Sequence, residues 1–161
     1  MNASGIDANR VNNGAMIELY PRCHSREISC EFSDRLIAGW EKVFHFLREI
    51  GEGGIRDLSG IEVTFLDDDE MSRLHGEFLD EATSTDVITF DHGELLIGVE
   101  VAARQARGFD SNPDREIALY GIHGMLHLSG YDDQNPDEAR LMEVKQEELL
   151  GIFFPEFGEG L

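Results

Sequence analysis

The sequence predicts a single α+β domain in which a small mixed β-sheet is covered by helices, with a metal site on one helix and the turn after it. Three observations predict this. Short alternating apolar segments are interleaved with longer segments of helical period, without internal repeats or a low-complexity linker. The 161 residues suit one hydrophobic core, and the 41% apolar content is ordinary for one. Finally, His123 and His127 are followed by Gly130 and Asp133, a spacing with a chemical use only where a helix and a turn bring the side chains together.

The elements follow in order. Met1 to Ala15 is polar, Asn- and Gly-rich and without period, which predicts a disordered extension over 1–15 ahead of a folded domain spanning 16–157. Ile17 to Tyr20 alternates as a strand, broken at Pro21 and extended by Ile28 to Phe32. A helix follows, with Ser33 as its N-cap, an apolar stripe of Leu36, Ile37, Trp40, Val43, Phe44, Leu47 and Ile50, and a stop at Gly51. Gly51 to Leu58 reads as a flexible turn and Ile61 to Leu66 as a second strand. The carboxylates Asp67, Asp68, Asp69 and Glu70 are read as an acidic helix entrance rather than a metal site, because they complement the dipole of a helix carrying Met71, Leu74 and Phe78 on one side. Thr85 to Phe90 and Gly93 to Gly98 read as strands joined by Asp91-His92-Gly93, a hairpin. Val99 to Ala106 fits a short helix ending at Gly108. Asn112-Pro113 supplies an N-cap and a first-turn proline for the helix carrying the two histidines. Asn135-Pro136 repeats the device for a last helix with Leu141, Val144, Leu149 and Leu150, after which Phe153-Phe154-Pro155 folds back on the core and Gly158 onward is loose.

Composition narrows the function classes. No apolar run approaches the ~20 residues that span a bilayer, and the N-terminus lacks a basic region followed by an apolar one, so a soluble, unexported, cytoplasmic protein with no membrane contact is expected. Cys23 and Cys30 are too few for a disulfide framework or a Cys-rich zinc site and read as reduced thiols. Cys23 and His24 are not a metal pair, since adjacent residues of a strand point opposite ways. Thirteen basic against 33 acidic residues give a formal charge of −20, the feature hardest to reconcile with a polyanionic ligand. Such a ligand requires basic residues clustered on one face, a partner that supplies the surface, or weak and salt-sensitive binding.

On a helix, residues four apart share a face with Cβ atoms roughly 5–6 Å apart, so His123 and His127 can point two imidazoles at one ion. Gly130, just past the helical run, takes the left-handed conformation that reverses the chain, and the reversal carries Asp133 back as a third ligand. A fourth tetrahedral position stays open, the layout of a catalytic zinc site holding one Zn2+ ion. The spacing matches the frame of metzincin-type sites, except that Gly124 stands where those peptidases carry their general-base Glu. No catalytic base is otherwise legible; Asp132 is a weak candidate, because the same residue can cap the turn.

The run His123-Gly124-Met125-Leu126-His127-Leu128-Ser129-Gly130-Tyr131-Asp132-Asp133 resembles the H-G-x-L-H-L-x-G-Y-D-H signature of the YbeY endoribonucleases, which are ribosomal RNA maturation factors, with Asp133 at the family's third His. Carboxylate for imidazole tilts the site toward harder ions. Thr85 to Phe90 resembles the family's T-(D/N)-V-L-S-F strand, and Gly93 to Gly98 its G-D-I-x-I-S strand. One more departure falls in the L-N-x-x-(Y/F)-R segment, where His75 replaces Asn and Leu79 replaces an Arg implicated in activity. The resemblance implies a zinc-dependent endoribonuclease whose partner is ribosomal RNA or the small ribosomal subunit. Leu79, Asp133 and the charge favour a second reading, a ribosome-assembly binding module with a structural metal. The histidine spacing alone suggests a third, a peptidase-like hydrolase, which Gly124 opposes. Arg73, about a turn and a half from Leu79 on the same helix, and Arg104, Arg107 and Arg115, placed to line a groove beside the metal helix, are the cations left to meet a phosphate. Oligomeric state is not legible.

Overall fold

Four short strands form the sheet: β1 (Ile17–Pro21), β2 (Ile61–Leu66), β3 (Val87–Phe90) and β4 (Glu94–Gly98), in spatial order β1-β2-β4-β3. The computed structural model describes residues 16–50, 53–79 and 86–157. The predicted extension 1–15, the stop at Gly51, Thr85 and the segment from Gly158 onward lie outside them. β1, β2 and β4 are parallel, and β3 pairs antiparallel with β4 at the edge, so the sheet is mixed and the predicted hairpin is present.

Most helices cover one face of the sheet, as the alternation in β1 and β2 requires, and one helix covers part of the other. Ile17, Leu19, Ile61, Val63, Phe65, Leu95 and Ile97 face a core built with α1 (Cys30–Ile50) and the metal-motif helix α4 (Pro113–Leu128). Leu66, Ile88 and Leu96 face the other way, where Met71 and Leu74 of α2 (Asp68–Leu79) pack on them. The side chains of Phe78 and Leu79 are outside the described residues. Between β4 and α4 runs α3 (Val99–Gly108), and α5 (Pro136–Phe153) closes against α4. Buried apolar side chains of this size stabilise by about 1.5–3 kcal/mol each, which makes this two-sided burial the main term holding the sheet.

The predicted stripe of α1 is buried from Leu36 to Leu47, but Ile50 is 59% exposed. The helix also starts earlier than Ser33. Ser29 caps it, its Oγ accepting the Phe32 N–H at 3.0 Å, so Ile28 to Phe32 turns into α1 and does not extend β1. In place of a flexible turn, residues 54–57 form a 3-10 turn with Ile55 fully buried. Trp40 joins α1 to α4: its Nε1–H donates to the Ala118 carbonyl at 3.1 Å and its ring meets Phe65 edge-on.

Both predicted Asn-Pro starts hold. Asn112 Oδ1 accepts the Asp114 N–H at 2.8 Å, and Asn135 Oδ1 accepts that of Glu138 at 2.9 Å, each cap contributing about 1 kcal/mol. On α5 the inner stripe differs from the expected one. Met142, Leu149 and Leu150 are buried whereas Leu141 and Val144 are exposed, because the face turned to α4 runs through Met142, Gln146, Leu149 and Leu150, at helical intervals. Phe154 folds back on the core as expected and is 1% exposed.

Candidate metal centre

The end of α4 explains how the site is built. Gly130, at φ 101, takes the left-handed position, the Tyr131 N–H bonds the Leu126 carbonyl and the Gly130 N–H bonds the His127 carbonyl, both at 3.0 Å. This is the paired closure that glycine allows at a helix C-terminus. It swings the Tyr131 carbonyl over the last turn, where it sits 3.1 Å from His127 Nδ1. Two residues later the Asp133 carboxylate arrives beside both imidazoles, its Oδ2 3.5 Å from His123 Nε2 and 3.7 Å from His127 Nε2.

A carbonyl oxygen can only accept, so His127 Nδ1 carries the proton and its Nε2 presents a lone pair. His123 is set the same way, with Nδ1 donating to Gln146 Oε1 of α5 at 2.5 Å. The two Nε2 atoms lie 3.1 Å apart with the rings nearly perpendicular. Two lone pairs facing each other repel unless a cation lies between them. Tetrahedral coordination with bonds of ~2.0–2.1 Å spaces ligand atoms roughly 3.3 Å apart, close to the separations among these three groups. The donor set therefore fits a divalent ion, and among the described residues it is the only group of three or more such side chains that does.

The remaining candidates separate. Asp132 Oδ1 accepts the Asp133 N–H at 2.8 Å, and Asp132 lines a different depression with Leu47, Ile50 and Gly130, away from His123. The acidic run at α2 has its own partners: Asp67 accepts the N–H groups of His24 and Ser25, Asp68 binds Arg104 in a two-point pair, and Glu70 pairs with Arg73. It is a helix entrance, as the sequence suggested. Burial alone would raise the Asp67 carboxyl, but the hydrogen bonds from Ser25 and His24 outweigh it and hold it below its ordinary value. Cys23 and Cys30 are free thiols, and burial pushes Cys23 up.

A cleft of about 680 Å³ opens directly on His123 and Asp133, between α4 and α5. Arg115 and Arg140 line it; Arg73, Arg104 and Arg107 do not. Tyr120, one turn before His123, is 6% exposed, and its hydroxyl has no hydrogen-bond partner among the described residues. Burial, then the charges of Asp86 and Glu116, keep that phenol protonated far above neutral pH. Glu116, one turn earlier again, accepts from Ser111 Oγ at 3.2 Å, and burial raises its carboxyl. Sequence reasoning missed Gln146, Tyr120 and Glu116. Gln146 carried one signal: it falls on the helical stripe of Met142, Leu149 and Leu150, where a polar residue needs a buried reason.

Gly124 separates the site from peptidases. A Cβ there would lie 2.7 Å from Leu95 Cδ2 and 3.2 Å from Thr89 Oγ1, so α4 touches the sheet at the position of the peptidase Glu.

Residues 25–153 match the family model described as Endoribonuclease YbeY. The chain is similar to a protein of Christiangramia forsetii named Endoribonuclease YbeY, 32% identical over 62% of this chain and 74% of that one. It is also similar to a protein of the same name from Bacillus cytotoxicus, 29% identical over 76% of this chain and 94% of that one. Among solved structures, the solution structure of TM1509 from Thermotoga maritima shares the fold, with a TM-score of 0.54 at 21% identity, covering 88% of this chain and 93% of that one. With its motif helix, its C-terminal turn and most of its length matched, the chain belongs to the YbeY endoribonuclease family.

Proposed function

We propose that the protein is a metal-dependent endoribonuclease that acts in the cytoplasm on ribosomal RNA during ribosome maturation, with one zinc ion held by His123, His127 and Asp133. The observation that carries the reading is the convergence of two Nε2 lone pairs and a carboxylate at the mouth of a cleft, with each Nδ1 already committed to an oxygen. The name shared by the relatives supplies the reaction class. When bound, the ion supplies Lewis acidity and activates water for attack on a phosphodiester.

The chain's own residues do the rest. Gln146 and the Tyr131 carbonyl hold both imidazoles in the tautomer that faces the ion. Asp133, 40% exposed, leaves one side of the site open to solvent and substrate. Gly124 admits no carboxylate at the peptidase position, which removes the support for peptide hydrolysis. No helix among the described residues is long and apolar enough to cross a membrane, in keeping with a ribosomal partner.

The test is metal analysis of the purified protein with RNA cleavage before and after chelation. We expect about one equivalent of zinc, cleavage lost on chelation and restored by zinc, and neither in the His123→Ala or His127→Ala variants. Leu79 and the charge of −20 favour a binding module in which the metal is structural. Zinc bound at full stoichiometry with no cleavage, either in the wild type or after Leu79→Arg, would establish that alternative.

A further inference from the structure

The cleft beside the metal site has the wrong charge for a phosphate. Asp86, Glu116, Asp133, Glu143 and Glu147 line it against Arg115 and Arg140. Arg115 is already held by Glu147 at 2.6 Å and the Phe157 carbonyl at 2.9 Å, and Arg140 stands 3.4 Å from Asp137. A strand cut at the metal must nevertheless place a flanking nucleotide near this opening, since His123 and Asp133 belong to both. Its neutral, donor-bearing part is the base.

Two further features suit a base. Phe109 is lined up on the cleft and 74% exposed. Its position is built rather than frayed: the Phe109 N–H bonds the Gln105 carbonyl, the Ser111 N–H bonds the Ala106 carbonyl at 2.8 Å, and between them Asp110 takes φ 55, a conformation that side chains adopt only at a cost. The second is Tyr120 in the wall of the same cleft, whose buried hydroxyl has no hydrogen-bond partner among the described residues, where buried polar groups are as a rule paired.

We propose that this cleft is a nucleobase subsite: it takes the base next to the scissile phosphate of a single-stranded RNA, stacked on Phe109, its amino edge read by the Glu143 carboxylate on the cleft wall and a ring nitrogen or keto oxygen by the Tyr120 hydroxyl. Bases in unpaired RNA are recognised in this way, by stacking and by their hydrogen-bonding edges. Adenine, cytosine and guanine carry an exocyclic amino donor for a carboxylate; uracil does not. The subsite therefore disfavours uracil. It rests on the nuclease reading above, and the two are tested apart.

Nucleosides have no cleavable bond, so their binding to the zinc-loaded full-length protein, followed by NMR shifts, reads the subsite alone. Adenosine, cytidine and guanosine should bind more tightly than uridine. Phe109→Ala should weaken all of them about 5- to 150-fold, and Tyr120→Phe should weaken all four nucleosides, uridine included, while metal content and melting stay unchanged. Oligonucleotides differing only in the base beside the cleavage site should follow the same order in kcat/KM. Nucleoside binding without RNA cleavage would retain the subsite and remove the nuclease. Cleavage with no base preference, unaltered in both variants, would retain the nuclease and overturn the subsite. Binding of oligolysine through Phe109, with no binding of nucleosides, would assign the cleft to a cationic protein and overturn it as well.

Discussion

Replacing Gln146 by leucine removes the oxygen that receives the His123 Nδ1 proton, 2.5 Å away, and nothing else in the metal site. Partners of this kind fix the tautomer and angle of a ligand imidazole, and losing one costs about 10- to 100-fold in metal affinity, or about 1.4–2.7 kcal/mol. His123 retains 19% side-chain exposure, so water can replace part of the lost bond. The expected loss lies near the low end, about tenfold. Gln146→Glu keeps an acceptor and makes the bond charge-assisted, roughly twice as strong, so zinc affinity should be equal or higher. The metal-free protein should tell the opposite story, because leucine extends the apolar stripe of Met142, Leu149 and Leu150 and should leave the melting temperature equal or raised. Competition for zinc against a chelator of known affinity, alongside metal-free thermal melts, measures both. Wild-type affinity in Gln146→Leu would refute the reasoning, as would an affinity loss matched by a destabilised metal-free fold.

Other expectations follow from the same geometry. Asp133→His should keep or tighten zinc binding and Asp133→Ala should weaken it, by elemental analysis and chelator competition; equal affinity in all three forms would remove Asp133 from the ligand set. At Gly124 the added Cβ would meet Leu95, itself fully buried. Overpacking of about 1–3 kcal/mol against a helix-propensity gain of about 1 kcal/mol makes Gly124→Ala destabilising by up to about 2 kcal/mol, and Gly124→Glu unable to fold; a Gly124→Ala protein more stable than wild type in urea would contradict the close approach. Asp67 has a folded pKa below its ordinary value of 3.8, so its contribution is present above that value and is lost as pH falls through the lowered one. Asp67→Asn should thus be less stable than wild type in urea melts at pH 7, with the gap closing in acid.

Much of this molecule is local physics, and that part was legible. Alternation marks β1 and β2, the Asn-Pro pairs mark the starts of α4 and α5, and the acidic run marks α2, since each depends on hydrogen bonds and periodicity within a few residues. The metal motif belongs here too. His123 and His127 share a face by helix geometry, and the Gly130 closure that returns Asp133 to them is complete within eleven residues, 123–133.

What the sequence could not decide depends on contacts between distant segments. Ile50, Leu141 and Val144 have the right chemistry for a core and are exposed, while Gln146 lies inward, because the face of α5 that matters is chosen by where α4 lies. α1 starts at Cys30 under the Ser29 hydroxyl, four residues before the cap that the apolar stripe suggests. At Gly124 the sequence shows only that a peptidase base is missing; the close approach of the sheet there depends on how α4 docks. The cleft with Phe109 and Tyr120 joins the end of α3 to α4 and α5, and has no signature in any one of them. Periodicity assigns a residue to a side of its element; which sides are covered is set by the docking of whole elements, a packing problem solved by the chain at once.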